Sequence, residues 1–287
     1  MPEGHTIHRL AARHVELFGG AKVSADSPQG RFASGAAALD RTTLVGTEAY
    51  GKHLLHHYDG GLSLHIHLGL YGKFADGRLP MPPPVGQIRL RLRNKRSWLE
   101  LRGPNACELV DEVQVEALKG RLGADPLRPD ADPSAAYRRM SRSDKPLAAL
   151  MLDQSIIAGA GLIFVIETLF RAGLRPTTPG RALGRDTWSG IWADLCELMA
   201  LAVDTGRIDT VHDKHTPEAM GRPPRVDRHG GEVYAYRRAG QPCHACGSPI
   251  RRGELAGRNT YWCPSCQPGE RGPSRRSETG SLGKRLD

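Results

Sequence analysis

The tightest constraint on this chain is the spacing of four cysteines near its C-terminal end: Cys243-x2-Cys246, then 16 residues, then Cys263-x2-Cys266. Each Cys-x2-Cys puts two thiolates on one tight turn, and the segment between is long enough for a single hairpin to bring the turns together. Four such thiolates suit a tetrahedral Zn²⁺ and complete its shell, so one structural ion per chain is expected. Two unrelated turns or a disulfide pair are the competing readings. Cys107 and Cys196 stand alone, and the opening residues lack a basic stretch followed by an apolar one. That pattern reads as a cytoplasmic chain, where thiols hold metal rather than pair. His244, inside the first turn, reads as a solvated residue rather than a ligand. The intervening hairpin is basic, with Arg251, Arg252 and Arg258.

The whole chain shares that charge. It has 40 Lys+Arg against 31 Asp+Glu, a formal net charge of +9 over 287 residues. Such a balance points to a polyanionic partner, nucleic acid or an anionic membrane surface. No run approaches the ~18 apolar residues of a membrane span. Ile88, Leu90 and Leu92 alternate with Arg89, Arg91 and Arg93, which predicts a strand with one apolar and one basic face.

Length predicts about two domains. Residues 4–18 carry apolar side chains at helical spacing, and Gly19-Gly20 ends that helix. Short strand-like segments follow at 22–25, 43–48, 52–58, 62–68, 87–93, 98–101 and 107–110, the pattern of a β-sandwich. The expected fold class is therefore α+β. An N-terminal β-sandwich with flanking helices (1–125) leads through a proline-rich linker (126–133) to a helical region (134–240). The cysteine hairpin (241–267) and a disordered tail (268–287) complete the chain. Helices are predicted near 134–141, 145–153, 161–172 and 187–204, with a long loop over 206–231.

Pro2-Glu3 follows the initiator Met. Removal of Met1 leaves a secondary amine at the start of the first helix, where the dipole favours its neutral form. With an ordinary pKa near ~8, such an amine has a nucleophilic fraction at neutral pH. The adjacent carboxylate is placed to move protons. Proline at a helix start is also ordinary in its own right. His65 and His67 share a strand face, as a metal pair or as packed core histidines.

Four motifs, in order, are similar to those of the formamidopyrimidine-DNA glycosylase/endonuclease VIII family. They are Met1-Pro2-Glu3-Gly4-His5-Thr6; Gly51-Lys52-His53-Leu54-Leu55; Leu152-Asp153-Gln154 with Ala158-Gly159-Ala160-Gly161 and Glu167-Thr168-Leu169-Phe170; and Gly257-Arg258-Asn259-Thr260-Tyr261-Trp262-Cys263-Pro264-Ser265-Cys266-Gln267. The resemblance implies a helix–two-turn–helix element in the second domain, a zinc finger, and an enzyme acting on damaged DNA; nothing in the sequence suggests an oligomer, so a monomer is expected. The resemblance further implies a bifunctional DNA glycosylase/AP lyase that flips a damaged base from the duplex. The Pro2 amine would attack C1′ to form an iminium, with Glu3 as acid/base catalyst, and β- and δ-elimination would then cut the strand. Lys52 and Arg258 would grip phosphates beside the flipped nucleotide, and Gly161 would meet DNA at the helix start. Arg89 and Arg91 are expected to meet DNA on the strength of their basic strand face alone. Leu70 and Tyr71 resemble the wedge of the endonuclease VIII branch, which removes oxidised pyrimidines. The oxidised-purine branch, a non-catalytic DNA-binding relative and a zinc ribbon acting on RNA are the alternatives.

One position departs from the family pattern. Leu162 stands where the family carries an asparagine that grips phosphate and starts a helix. Leucine offers no hydrogen bond and is a poor N-cap, worse by ~1 kcal/mol. Weaker DNA affinity is expected from it.

Overall fold

The computed structural model describes residues 2–227 and 231–268. The tail expected from 268 onward therefore lies outside the described residues, Pro268 excepted.

The first helix, α1 (Gly4–Phe18), buries Ile7, Ala11, His14 and Phe18, one face at helical spacing. After it come β1 (Ser24–Asp26), α2 (Ala33–Leu39), β2 (Leu44–Tyr50), β3 (His53–Tyr58), β4 (Ser63–His67), β5 (Lys73–Arg78), β6 (Leu90–Arg93), β7 (Ser97–Arg102), β8 (Ala106–Val110) and α3 (Glu112–Lys119). The strands form two four-stranded sheets, β1-β6-β7-β5 and β2-β3-β4-β8. Leu54, Leu64 and Ile66 from the second sheet share a core with Leu90, Leu92, Leu99 and Leu101 from the first, and α1 contributes to the same core. This is the expected sandwich. Strand β5 and helices α2 and α3 were not among the predicted segments. For α3 a signal existed: Asp111 and Gln114 form a reciprocal capping box.

The basic face predicted for 89–93 is not free. Arg91 lies directly across from Glu100 in the β6–β7 register. Its guanidinium pairs with that carboxylate at 3.0 Å, and Arg102 takes the other oxygen. Arg91 is 9% exposed and Glu100 2%. Both arginines also donate to carbonyls of the proline-rich loop, at Pro82 and Val85. A charge buried this way braces its own domain, so Arg91 does not present itself to DNA. Arg89 is half-buried and Arg93 exposed.

The second domain holds α4 (Pro133–Met140), α5 (Leu147–Leu152), α6 (Leu162–Arg171), α7 (Arg185–Thr205) and the short α8 (Pro217–Met220). Helix α6 is buried from Ile163 to Phe170. In the middle of that apolar helix sits Glu167, fully buried. Its carboxylate accepts from the backbone N–H of Tyr234 (2.6 Å), Ala235 (2.9 Å) and Tyr236 (2.8 Å), and from the Thr210 hydroxyl (2.7 Å). Four donors offset the cost of burying its charge. They also fasten the segment after α7, so the described part of loop 206–231 is folded: Arg222 pairs with Glu232 at 2.7 Å, and Thr216 caps α8.

The linker is likewise built in. Asp125, fully buried, accepts from Gly51 N (2.7 Å) and Leu127 N (2.9 Å) and meets His8 Nε2 at 2.9 Å. Arg128 reaches back to Glu48 at 2.6 Å and lies 4.7 Å from the centre of the Tyr50 ring. These contacts set the two domains against each other where the site forms. Strands β9 (Arg251–Leu255) and β10 (Arg258–Trp262) make the antiparallel hairpin between the cysteine turns.

Candidate active site

Three backbones converge at the domain junction because three glycines let them. A Cβ on Gly4 would lie 2.8 Å from Gly159 Cα, and a Cβ on Gly159 would lie 3.3 Å from Gly51 Cα. Gly51 (φ 57°) and Gly159 (φ 86°) occupy the left-handed region that favours glycine. The Gly4 N–H donates to Gly159 O at 2.9 Å, and Gln154 holds both ends of the same loop, accepting from Gly159 N and donating to Ala160 O at 3.0 Å each. The chain start, the β2–β3 turn and the turn before α6 thus meet.

Glu3 sits at that meeting point, 1% exposed. One carboxylate oxygen accepts from Ile163 N at 3.3 Å, while the other is buried with no hydrogen-bond partner among the described residues. Space for it exists because residue 161 is glycine: a Cβ there would fall 2.2 Å from Glu3 Cδ. Burial raises the Glu3 pKa, and the Lys52 charge opposes that rise. A carboxyl group whose pKa is raised is a more available proton donor.

This geometry corrects the expectation at α6. The N-cap is Gly161, and Leu162 is the first helical residue. The missing cap is supplied from another domain, by the Glu3 carboxylate on the second helical N–H. Gly161 is buried, so what it contributes is room for Glu3. Leu162 is half-buried and shares a cavity of about 240 Å³ with Leu152, Leu255 and Arg258.

Lys52 donates to Ala160 O at 3.2 Å. Burial lowers its pKa, Glu3 counteracts this, and the nearby Arg258 charge adds to the lowering. Pro2 is half-buried and shares a cavity of about 210 Å³ with Lys52, His67, Leu68 and Leu70. At the rim Leu70 is 63% exposed, and the next residue, Tyr71, is 84% exposed, so both keep large apolar surfaces open among the described residues. Pro2, Glu3, Lys52 and Leu70 are therefore together, with Arg258 in electrostatic reach and Arg91 elsewhere. Asp125 and Gln154, which build the junction, carried no assigned role in the sequence reading.

The four cysteine sulfurs lie within 4.8 Å of one another. The Cys243–Cys266 and Cys246–Cys263 separations are 3.9 and 3.4 Å, near the ~3.8 Å edge of a tetrahedron with metal–sulfur bonds of ~2.3 Å. The donor set fits a closed structural ion. Gln267 ties this module to the turn after α6 by accepting from Cys263 N and donating to Leu174 O. His244 belongs to no such cluster among the described residues.

Residues 1–105 match the formamidopyrimidine-DNA glycosylase N-terminal domain, 122–213 the formamidopyrimidine-DNA glycosylase H2TH domain, and 240–269 a zinc finger found in FPG and IleRS. Endonuclease 8 1 of Mycobacterium tuberculosis is 46% identical over 274 residues, covering 93% of this chain and all of that protein. The chain belongs to the formamidopyrimidine-DNA glycosylase/endonuclease VIII family. Membership makes it a DNA glycosylase with AP lyase activity. A formamidopyrimidine-DNA glycosylase of Parasynechococcus marenigrum is 30% identical, covering 93% of this chain and 99% of that one. Among solved structures, a Lactococcus lactis FPG mutant in complex with a Fapy-dG containing DNA shares the fold at 22% identity, with a TM-score of 0.77 over 93% of this chain and all of that one. No helix among the described residues is long and apolar enough to cross a membrane.

Proposed function

We propose that this member of the family removes oxidised bases, pyrimidines foremost, from DNA through a Pro2 iminium, and that it cuts the strand by β,δ-elimination. The observation that carries the reading is the convergence of Pro2, Lys52 and Leu70 on one small cavity, with Glu3 buried beside it.

Once Met1 is removed, the neutral Pro2 amine attacks C1′ and the base leaves with the electrons of its glycosidic bond. Glu3, whose burial favours the protonated acid, protonates the ring oxygen as the sugar opens. The Pro2 nitrogen loses its proton and becomes the iminium nitrogen. That cation acidifies the C2′ proton, whose removal expels the 3′ phosphate. A second elimination expels the 5′ phosphate. Lys52 and Arg258 hold phosphates on the cavity side, their mutual repulsion relieved when the anion arrives. Leu70 and Tyr71 enter the stack in place of the flipped base. Their aliphatic–aromatic pairing supports the pyrimidine reading, as does the 46% identity to Endonuclease 8 1 of Mycobacterium tuberculosis against 30% to the Parasynechococcus marenigrum formamidopyrimidine-DNA glycosylase. A zinc ion on the four cysteines would supply folding energy that fixes the Arg258 hairpin, and no chemistry. The enzyme acts as a cytoplasmic monomer on the nucleoid.

A panel of duplexes, each with one thymine glycol, 5-hydroxyuracil, 8-oxoguanine or abasic site, tests this with released bases and strand ends resolved. Excision of the two pyrimidines at least tenfold faster than 8-oxoguanine, with phosphate on both new ends, is expected. Faster purine excision would overturn the substrate assignment.

A further inference from the structure

Outside the residues used above, the wall of the Pro2 cavity continues into a row of histidines. His67 lines the cavity, and its Nδ1 is buried with no hydrogen-bond partner among the described residues. Its ring lies against His53, centre to centre 4.9 Å. His53 Nδ1 and His65 Nε2 share a hydrogen bond of 2.9 Å, and His65 Nδ1 meets Glu108 Oε1 at 2.9 Å. The carboxylate end is 59% exposed. The row thus crosses β3, β4 and β8, from the cavity to solvent. A metal among these rings is contradicted by the His53–His65 hydrogen bond, which occupies both facing nitrogens.

Unpartnered buried polar atoms are uncommon and cost about 1–3 kcal/mol each. One facing a reaction cavity has a use if a proton is to arrive there. We propose that His67, His53 and His65 form a proton path that carries the Pro2 ammonium proton to Glu108 and solvent when DNA covers the cavity mouth. The proposal rests on Pro2 being the nucleophile. At neutral pH an α-ammonium with a pKa near ~8 is mostly protonated, and one N–H must lose its proton before the lone pair can attack. That proton passes to His67. The His67 ring lies against His53 without a hydrogen bond between them, so a turn of that ring presents the proton to His53, which takes it and hands another from its opposite nitrogen to His65; His65 passes one from Nδ1 to Glu108, and Glu108 releases it to water. Only N–H and O–H bonds are made or broken, the latter at Glu108 and water.

The groups facing the row are consistent with relay. His53 faces His65 and His67 from β4, with Lys52 and Arg121 nearby, and Glu108 is the anion beside His65. Burial foremost, then those neighbours, holds His53 at about 3, and burial lowers His67, so both rest neutral with one donor and one acceptor nitrogen.

His65→Gln keeps a hydrogen-bonding side chain and cannot relay. Its single-turnover rate of borohydride-trapped complex with abasic-site DNA is read from pH 6 to 9 beside the full-length parent. A loss of roughly tenfold at pH 6–7 is expected, shrinking toward none near pH 9 where the amine is already neutral, and imidazole should restore the low-pH rate. Glu108→Gln, on an exposed side chain that the fold does not need, should show the same pH trend with a loss of about threefold. An equal loss at every pH, or none in either variant, overturns the path while leaving Pro2 as nucleophile. No adduct in the parent protein overturns both.

Discussion

Gly161→Ala is the substitution that most directly probes how the second domain shapes the catalytic acid. The backbone at 161 (φ −115°, ψ −172°) suits any residue, so alanine adds no backbone strain. What it adds is a methyl 2.2 Å from Glu3 Cδ and 2.3 Å from Oε1. Ordinary contact begins near 3.4 Å, so the carboxylate must retreat by about 1.2 Å or the α6 turn must shift. Retreat breaks the 3.3 Å bond to Ile163 N, a helix cap of about 1 kcal/mol, and overpacking adds about 1–3 kcal/mol. A displacement of ~1 Å at a catalytic group costs about 10²-fold in rate. Single-turnover strand cleavage is expected to fall about 10²-fold, with DNA affinity within threefold of the parent. The decisive comparison is a double-mutant cycle with Glu3→Ala: once that carboxylate is gone, the methyl has room, and Gly161→Ala should cost almost nothing further. An equal cost in both backgrounds, or full activity in the single variant, would refute the reasoning.

Tyr71→Ala removes a ring that is 84% exposed, so the urea midpoint should stay within error while affinity for lesion DNA weakens by about 1–3 kcal/mol in a fluorescence titration. Acid should unfold the sandwich early. His14 and His56 share a buried 2.9 Å hydrogen bond, and burial lowers His14 to about 4 and His56 well below its ordinary value. With an unfolded pKa near ~6.5, the protons are taken up by the unfolded chain first. Stability is then fully present above ~6.5 and falls as the pH drops toward 4, by up to about 3 kcal/mol for His14 alone. Urea denaturation between pH 7.5 and 5 measures the slope, which His14→Phe should flatten. Stripping the metal with an organomercurial should release one zinc per chain and lower lesion-DNA affinity at least tenfold, because Arg258 then loses its frame. Release of no zinc, or unchanged binding after release, contradicts that role.

Much of the site was legible because its signals are local. The cysteine spacing and the Pro2-Glu3 opening need no knowledge of distant partners. The amphipathic face of α1 repeats within a few residues and read correctly for the same reason. Alternation found the two faces of β6 but not what lies across from it, and Glu100 on the next strand turned a basic face into an internal brace. The cap of α6 was misplaced because its acceptor lies 160 residues upstream. Asp125 reaches Gly51 across 74 residues and left no trace in the linker's proline-rich composition. His65 and His67 were visible as a pair, whereas His53, their link, belongs to the neighbouring strand. Strand β5, Lys73-Phe-Ala-Asp-Gly-Arg, has little strand propensity and forms through pairing with β7.

The central claim is that the Pro2 nitrogen becomes covalently bound to C1′. The direct measurement is borohydride reduction during reaction with lesion-containing DNA, followed by nuclease and protease digestion and mass spectrometry of the N-terminal peptide. The expected result is a peptide that begins at Pro2, lacks Met1 and carries the reduced sugar on its amine. An adduct on Lys52 or any other residue, or retained Met1 in protein that still cleaves DNA, would contradict it.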